Sequence, residues 1–203
     1  MRPFAFSQYS EYTTPTLSSV RRFTSTMQRV LVVGSGGSGK STLSKRLGNV
    51  LGLPVVHLDS LYWSPGWIEP DKSEWAETVR KIIAQTAWIL DGNYSGTLVE
   101  RIEACDTVVF LDVSRFVCLW RVLKRLAKHR GKTRPDMPDG CPERLNIAFL
   151  LWIWNYPNRT RRKVLGLLET YRTTKTVIHL RTRADVERFI KAPRAALHTA
   201  ADC

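Results

Sequence analysis

Gly34-Ser35-Gly36-Gly37-Ser38-Gly39-Lys40-Ser41 is an unbroken match to the phosphate-binding pattern G-x-x-x-x-G-K-[ST]. Its flanks supply the structural context. Arg29-Val30-Leu31-Val32-Val33 before it is a short apolar run of the kind that forms a buried strand. Ser41 to Leu51 after it carries Leu43, Leu47, Val50 and Leu51 on one side, as a helix would. Strand, glycine-rich turn and helix aim backbone N–H groups and a helix N-terminus at a single point, where a polyphosphate binds. The glycines let the backbone approach the oxygens without Cβ clashes. The run from Gly34 through Thr42 is therefore the expected nucleotide-binding segment. Lys40 is expected to reach the β- and γ-phosphates of ATP, and the Ser41 hydroxyl to hold Mg²⁺.

Working outward, short apolar runs alternate with helical patterns. Strands are predicted at 54–59, 88–91, 107–112 and 176–180, all almost fully apolar, as parallel strands covered on both faces are. Asp71 or Ser73 caps a helix with Trp75, Val79, Ile82 and Ile83 as its stripe, and another helix is predicted over 95–104. Ser114 opens a long basic helix to about Arg130, and Gly131 to Pro142 is a loop. Pro142 suits the first turn of the next helix, to Asn155. Pro157 breaks the chain, and Asn158 caps a basic helix to about Arg172. Thr182 with Asp185 resembles a capping box for a last helix to Lys191. This alternation predicts an α/β fold, a three-layer sandwich around a parallel five-stranded sheet, with a helical arginine-rich lid at about 115–163.

A chain of 203 residues with 43% hydrophobic content has room for one well-buried domain. Its net charge of +13 favours polyanionic partners: nucleotides, or nucleic acid through the basic lid. Thirteen basic residues stand against four acidic ones between Asp112 and Lys163. Cys105, Cys118, Cys141 and Cys203 form no C-x-x-C pair and read as reduced thiols, which points to the cytoplasm. No apolar run is long enough to span a membrane, and no membrane partner is expected. The first 26 residues, rich in Ser, Thr and Tyr, differ from the rest. They read as a disordered extension ahead of a compact domain at 27–203, with organelle targeting as the alternative.

The remaining candidates are the acids and arginines around the crevice. Asp59 ends the second strand on the same side of the sheet as the glycine-rich loop. It is a candidate to face the phosphoryl acceptor or act as base, or else a strand-end cap. His57 reads as a hydrogen-bonded, partly buried histidine. Asp91 and Asp112 both close strands, and either could order Mg²⁺ and its waters. Asp91 is preferred because Gly92 leaves room for a substrate, whereas Asp112 can cap the next helix. The aromatic segment Leu61–Trp67 offers faces for stacking a base, or packs as core under a loop. Arg121 and Arg125 share a helix face, and Arg134, Arg144, Arg159, Arg161 and Arg162 follow. Arginines on a closing lid stabilise the charge of a transferred phosphoryl, and Arg121, Arg125 and Arg159 are the expected contributors.

On these residues the chain resembles the adenylate-kinase-like superfamily of P-loop kinases. Trp88-Ile89-Leu90-Asp91-Gly92-Asn93-Tyr94 is similar to the hydrophobic-Asp-Gly strand end of nucleoside monophosphate kinases, and Arg121 to Arg162 resembles their lid. More narrowly it resembles the DNA topology modulation (FlaR-type) proteins. His57-Leu58-Asp59-Ser60-Leu61-Tyr62-Trp63, Pro65-Gly66-Trp67, Gly140-Cys141-Pro142-Glu143-Arg144 and Trp152-Ile153-Trp154 carry that likeness. Asn93-Tyr94 stands where adenylate kinases carry Phe-Pro-Arg, so the arginine expected at an acceptor phosphate is absent. The resemblance implies a Mg-ATP-dependent kinase of a small molecule, nucleosides and nucleotides among the candidates. The alternatives are a nucleotide-regulated DNA-binding protein and a partner-coupled ATPase.

Overall fold

The computed structural model describes residues 27–133 and 137–193. The extension at 1–26, Arg134 and Cys203 lie outside the described residues. The apolar runs become β1 (Arg29–Gly34), β2 (Val55–His57), β3 (Trp88–Asp91), β4 (Thr107–Leu111) and β5 (Thr176–Leu180). They form one all-parallel sheet in the order β2-β3-β1-β4-β5. The chain leaves β1 toward one edge and later returns to its other side for β4. A crevice therefore opens at the carboxyl ends of the strands beside β1, where open α/β sheets bind ligands.

Side-chain alternation along the strands builds the three layers. Leu31 and Val33 point to one face, packed with Trp75 and Val79 of α3 (Lys72–Ile83), Leu98 and Ile102 of α4 (Leu98–Ala104), and Val164 and Leu168 of α7 (Thr160–Thr170). Val30 and Val32 point to the other face, packed with Leu43 and Leu47 of α1 (Lys40–Leu51) and Phe189 and Ile190 of α8 (Arg183–Lys191). Met27, 3% exposed, belongs to this second cluster. Asp71 caps α3 by accepting from the Ser73 amide, and α8 opens with the Thr182–Asp185 capping box.

Three boundaries depart from the sequence reading. β2 ends at His57, and Asp59 falls in the first turn of a short helix, α2 (Leu58–Tyr62), rather than at a strand end. The chain turns there because Leu58 is fully buried, with Leu61 and Tyr62 packed against the same cluster, while the Ser60 hydroxyl donates to the His57 carbonyl. The helix expected from Pro142 starts later, as α6 (Ile147–Asn155), with the Asn146 side chain accepting from the Phe149 amide. Pro142 and Glu143 instead form bridges with Thr133 and Arg130. Asn158 closes a 3₁₀ turn, and α7 begins at Thr160. The long basic helix is α5 (Arg115–His129). Its Cys118 and Val122 pack with Ile153 of α6 as a third, smaller cluster over the phosphate-binding loop.

Candidate active site

The glycine-rich loop follows β1 and passes directly into α1, whose first turn has no side-chain cap. Amides left open at a helix N-terminus are what an anion binds. The lid lies against this loop. At Gly37, φ is +76° and a Cβ would stand 2.4 Å from the Cys118 carbonyl oxygen of α5, so only glycine fits. A Cβ on Gly36 would stand 2.5 Å from the Phe149 ring of α6.

Lys40 folds back over the loop and donates to the carbonyls of Gly34 and Ser35, both at 3.0 Å. Burial pushes its ammonium below the ordinary lysine value, against the pull of Asp59 and Asp91. Arg121 of α5 donates to the Ser38 carbonyl at 2.9 Å, tying lid to loop. Arg125, one turn on, pairs with buried Glu143 at 2.6 Å.

A cleft of about 620 Å³ opens beside the loop. Gly36, Gly37, Gly39, Lys40, Ser41 and Thr42 line one side of it. Asp59, Trp63, Trp67 and the Gly92–Tyr94 turn line the other side, and Arg121, Arg125 and Arg144 come from the 115–163 segment. Asp59 accepts a 2.7 Å hydrogen bond from the Tyr94 hydroxyl on its Oδ1. Burial and the neighbouring Asp59 carboxylate raise the Tyr94 pKa well above the usual phenol value, so the hydroxyl stays a donor.

The turn that presents Tyr94 is held from beneath by a residue the sequence reading passed over. Arg101 of α4 is fully buried and donates to the carbonyls of Gly92, Asn93, Tyr94 and Thr97 at 2.8–3.2 Å. Burial lowers its pKa to about 10, which leaves it charged at neutral pH. Its signal was a lone arginine beside Leu98 and Ile102 on the buried stripe of a short helix. Asn93, fixed in the same turn, accepts from the Gly34 amide at 3.2 Å and so links the turn to the phosphate-binding loop.

Asp91 is 2% exposed and lies behind the cleft wall, with its Oδ2 2.7 Å from His57 Nδ1. Asp112 is engaged elsewhere: Arg161 grips both carboxylate oxygens at 2.7 Å and His179 adds a 2.8 Å bond. Arg159 is exposed at the start of α7 and is not among the residues lining the cleft. Gly34, Ser35 and Ser38 form the backbone of the loop without lining the cleft. Of the aromatic segment, Tyr62 packs onto Trp75 and Tyr94, whereas Trp63 and Trp67 line the cleft.

Trp67 also ties this wall of the cleft to the 140–142 segment. Its φ is +66°, a strained conformation for a bulky residue. Its indole N–H donates to the Pro142 carbonyl at 3.1 Å, Gly66 donates to the Gly140 carbonyl at 2.8 Å, and the Cys141 thiol donates to the Ser64 carbonyl at 3.3 Å.

The donor set fits Mg²⁺ carried on a nucleotide. Ser41 and Asp59 offer oxygens to the cleft, and Asp91 lies behind it. Among the described residues no three His, Cys, Asp or Glu converge into a protein cage for a metal. A magnesium ion held mainly by phosphates and waters needs none.

No protein-family model matches the chain, and no curated protein matches it. Solved structures do. A shikimate kinase from Acinetobacter baumannii in complex with shikimate aligns at 16% identity over 86% of this chain and 96% of its own, with a TM-score of 0.51. A gluconokinase from Sinorhizobium meliloti 1021 aligns at 17% identity over 90% and 96%, TM-score 0.49. A shikimate kinase from Bacteroides thetaiotaomicron aligns at 18% identity over 85% and 99%, TM-score 0.46. The first of these likenesses bears on the fold alone: the five-stranded parallel sheet with its flanking helices is an architecture shared with that shikimate kinase.

Proposed function

We propose that this chain is a phosphotransferase that moves the γ-phosphoryl group of Mg-ATP onto a hydroxyl of a small-molecule acceptor. The observation that carries the reading is one cleft, lined on one side by Lys40, Ser41 and the loop glycines, and on the other by Asp59 with the Tyr94 turn. A phosphate-binding loop facing a carboxylate across a space of this size has room for both a triphosphate tail and an acceptor. The Acinetobacter baumannii protein that shares this fold is a shikimate kinase, which agrees with the reading.

Phosphoryl transfer asks the protein chiefly for positioning and for charge near the transferred oxygens. In this reading the loop amides and Lys40 hold the β- and γ-phosphates, and Lys40 exchanges its bonds to Gly34 and Ser35 for phosphate oxygens. Ser41 would hold Mg²⁺, and Asp91 would help to order its waters. When bound, the metal neutralises charge on the β- and γ-oxygens. Asp59 takes the acceptor proton as the new P–O bond forms, the bond between the β- and γ-phosphoryl groups breaks, and ADP leaves. Tyr94 occupies Oδ1 of Asp59 and leaves the other oxygen for the acceptor. Arg121 and Arg125, brought over the loop by α5, stabilise the transferred oxygens.

Within this class, the motifs from His57 to Trp154 favour the adenylate-kinase-like branch and its FlaR-type members. A nucleoside is then one acceptor to test. The experiment is ³¹P NMR of the full chain with Mg-ATP and pooled nucleosides, nucleotides, sugars and hydroxy acids. A new phosphoester signal, lost in Lys40→Ala, is the expected result. Release of ADP and inorganic phosphate alone, whatever the pool contains, would sink the proposal.

A further inference from the structure

The outer face of the lid is apolar where a solvated surface would be charged. On α5, Phe116, Trp120 and Leu123 are 63%, 60% and 48% exposed. Spacings of four and three residues set them on one stripe, turned away from the Cys118 and Val122 side that packs over the loop. On α6, Ile147, Leu151 and Trp154 repeat the pattern at 65%, 56% and 43% exposed. The Phe116 and Trp154 rings meet edge to face at 5.8 Å, so the two stripes join into one patch. Single exposed apolar residues are ordinary, but a contiguous patch of large ones marks an interaction surface.

The charge around the patch selects the partner. The Arg115 guanidinium lies 4.2 Å from the Trp154 ring centre and 5.4 Å from that of Phe116, and the Lys124 ammonium lies 5.1 Å from that of Trp120. The sequence has no Asp or Glu from Val113 to Pro135, and none from Arg144 to Leu168. A second copy of the chain would set these cations against their own images, each copy carrying +13, which opposes pairing. Nucleic acid would satisfy the cations but leave Leu123, Ile147 and Leu151 against phosphates. A lipid surface with acidic headgroups meets both demands. Trp, Phe and Leu side chains enter the boundary between headgroups and acyl chains, while Lys and Arg remain among the headgroups.

We propose that the outer face of α5 and α6 docks the protein peripherally on an anionic membrane surface. Among the described residues no helix is long and apolar enough to cross a membrane, so the contact is one of lying at the interface. The expectation of no membrane partner rested on the lack of a spanning run, which does not bear on such a contact. The inference stands independently of phosphotransfer, since the patch faces away from the cleft.

The test is cosedimentation of the full chain with vesicles of phosphatidylcholine alone, or with about a third phosphatidylserine. The expected result is binding to the anionic vesicles only, weakened by salt and accompanied by a blue shift of tryptophan emission. Phe116→Ser with Trp120→Ser is expected to lower the partition coefficient by about tenfold or more. Lys124→Glu with Lys128→Glu, at two exposed positions outside the packed clusters, is expected to remove most of the salt-sensitive binding. Absence of vesicle binding overturns the proposal. So does binding that both double variants retain, a dimer that Trp120→Ser dissociates, or duplex DNA bound in place of vesicles.

Discussion

Lys40 carries its charge in a buried place, and the consequences are opposite for ligand and fold. Its pKa in the fold lies below the ordinary value of 10.5. Between the folded and unfolded values the unfolded chain binds more protons, so stability rises with pH there, and the burial penalty is present in full only below the folded value. Lys40→Met removes that penalty along with two hydrogen bonds to carbonyls. We expect ATP affinity to fall about 100-fold, the loss of two charge-assisted bonds, while the melting temperature without nucleotide stays within about 3 °C. Calorimetry and ATP titration check both. Asp112 is the contrasting case. Burial opposes its ionisation, but the hydrogen bonds from Arg161 and His179 outweigh it and hold the carboxyl below its ordinary 3.8. Its folded pKa is depressed, so its contribution is present above the unfolded value and is lost as the pH falls through the folded one. Asp112→Asn is expected to destabilise by about 2–4 kcal/mol at pH 7 and to flatten the acid limb below about pH 4, read from urea melts across pH.

At the scale of elements, the connection between the 63–68 turn and the 140–142 segment decides how the cleft is walled. Trp67→Phe keeps the ring and removes the donor to Pro142. Amide exchange in residues 140–146 is expected to quicken by about fivefold to tenfold, the worth of one hydrogen bond, with the sheet unchanged. The strands were legible in sequence because parallel strands buried on both faces leave near-continuous apolar runs, as in β3 and β4. The glycine-rich loop was legible because its backbone geometry admits few residues. The start of α6 was not. Pro142 suits a first helical turn, but Glu143 is drawn to Arg125, a pairing that spans 18 positions and leaves no local pattern. Asp59 was found and its surroundings were not, because the Tyr94 hydroxyl that holds it arrives from a different strand end, 35 residues on. Arg101 was hidden for the same reason: its partners are carbonyls, and carbonyls have no sequence signature.

At the scale of the whole molecule, Met27 is the first of the described residues, and its side chain packs in the cluster with α1 and α8. A chain starting at Met27 is expected to bind and turn over ATP as the full chain does, with a melting temperature within about 3 °C, checked by scanning calorimetry beside a coupled assay. The connection through Trp67 has a further meaning at this scale. β2 and β3 lie on one flank of β1, and β4, from which α5 departs, lies on the other. The bonds from Ser64, Gly66 and Trp67 to Gly140, Cys141 and Pro142 join the two flanks across the mouth of the cleft. Mechanically this is an arch on two piers and not a flap on one hinge. Force applied at the crown is shared between both piers, and three short bonds acting in parallel carry what a single hinge would have to bear alone.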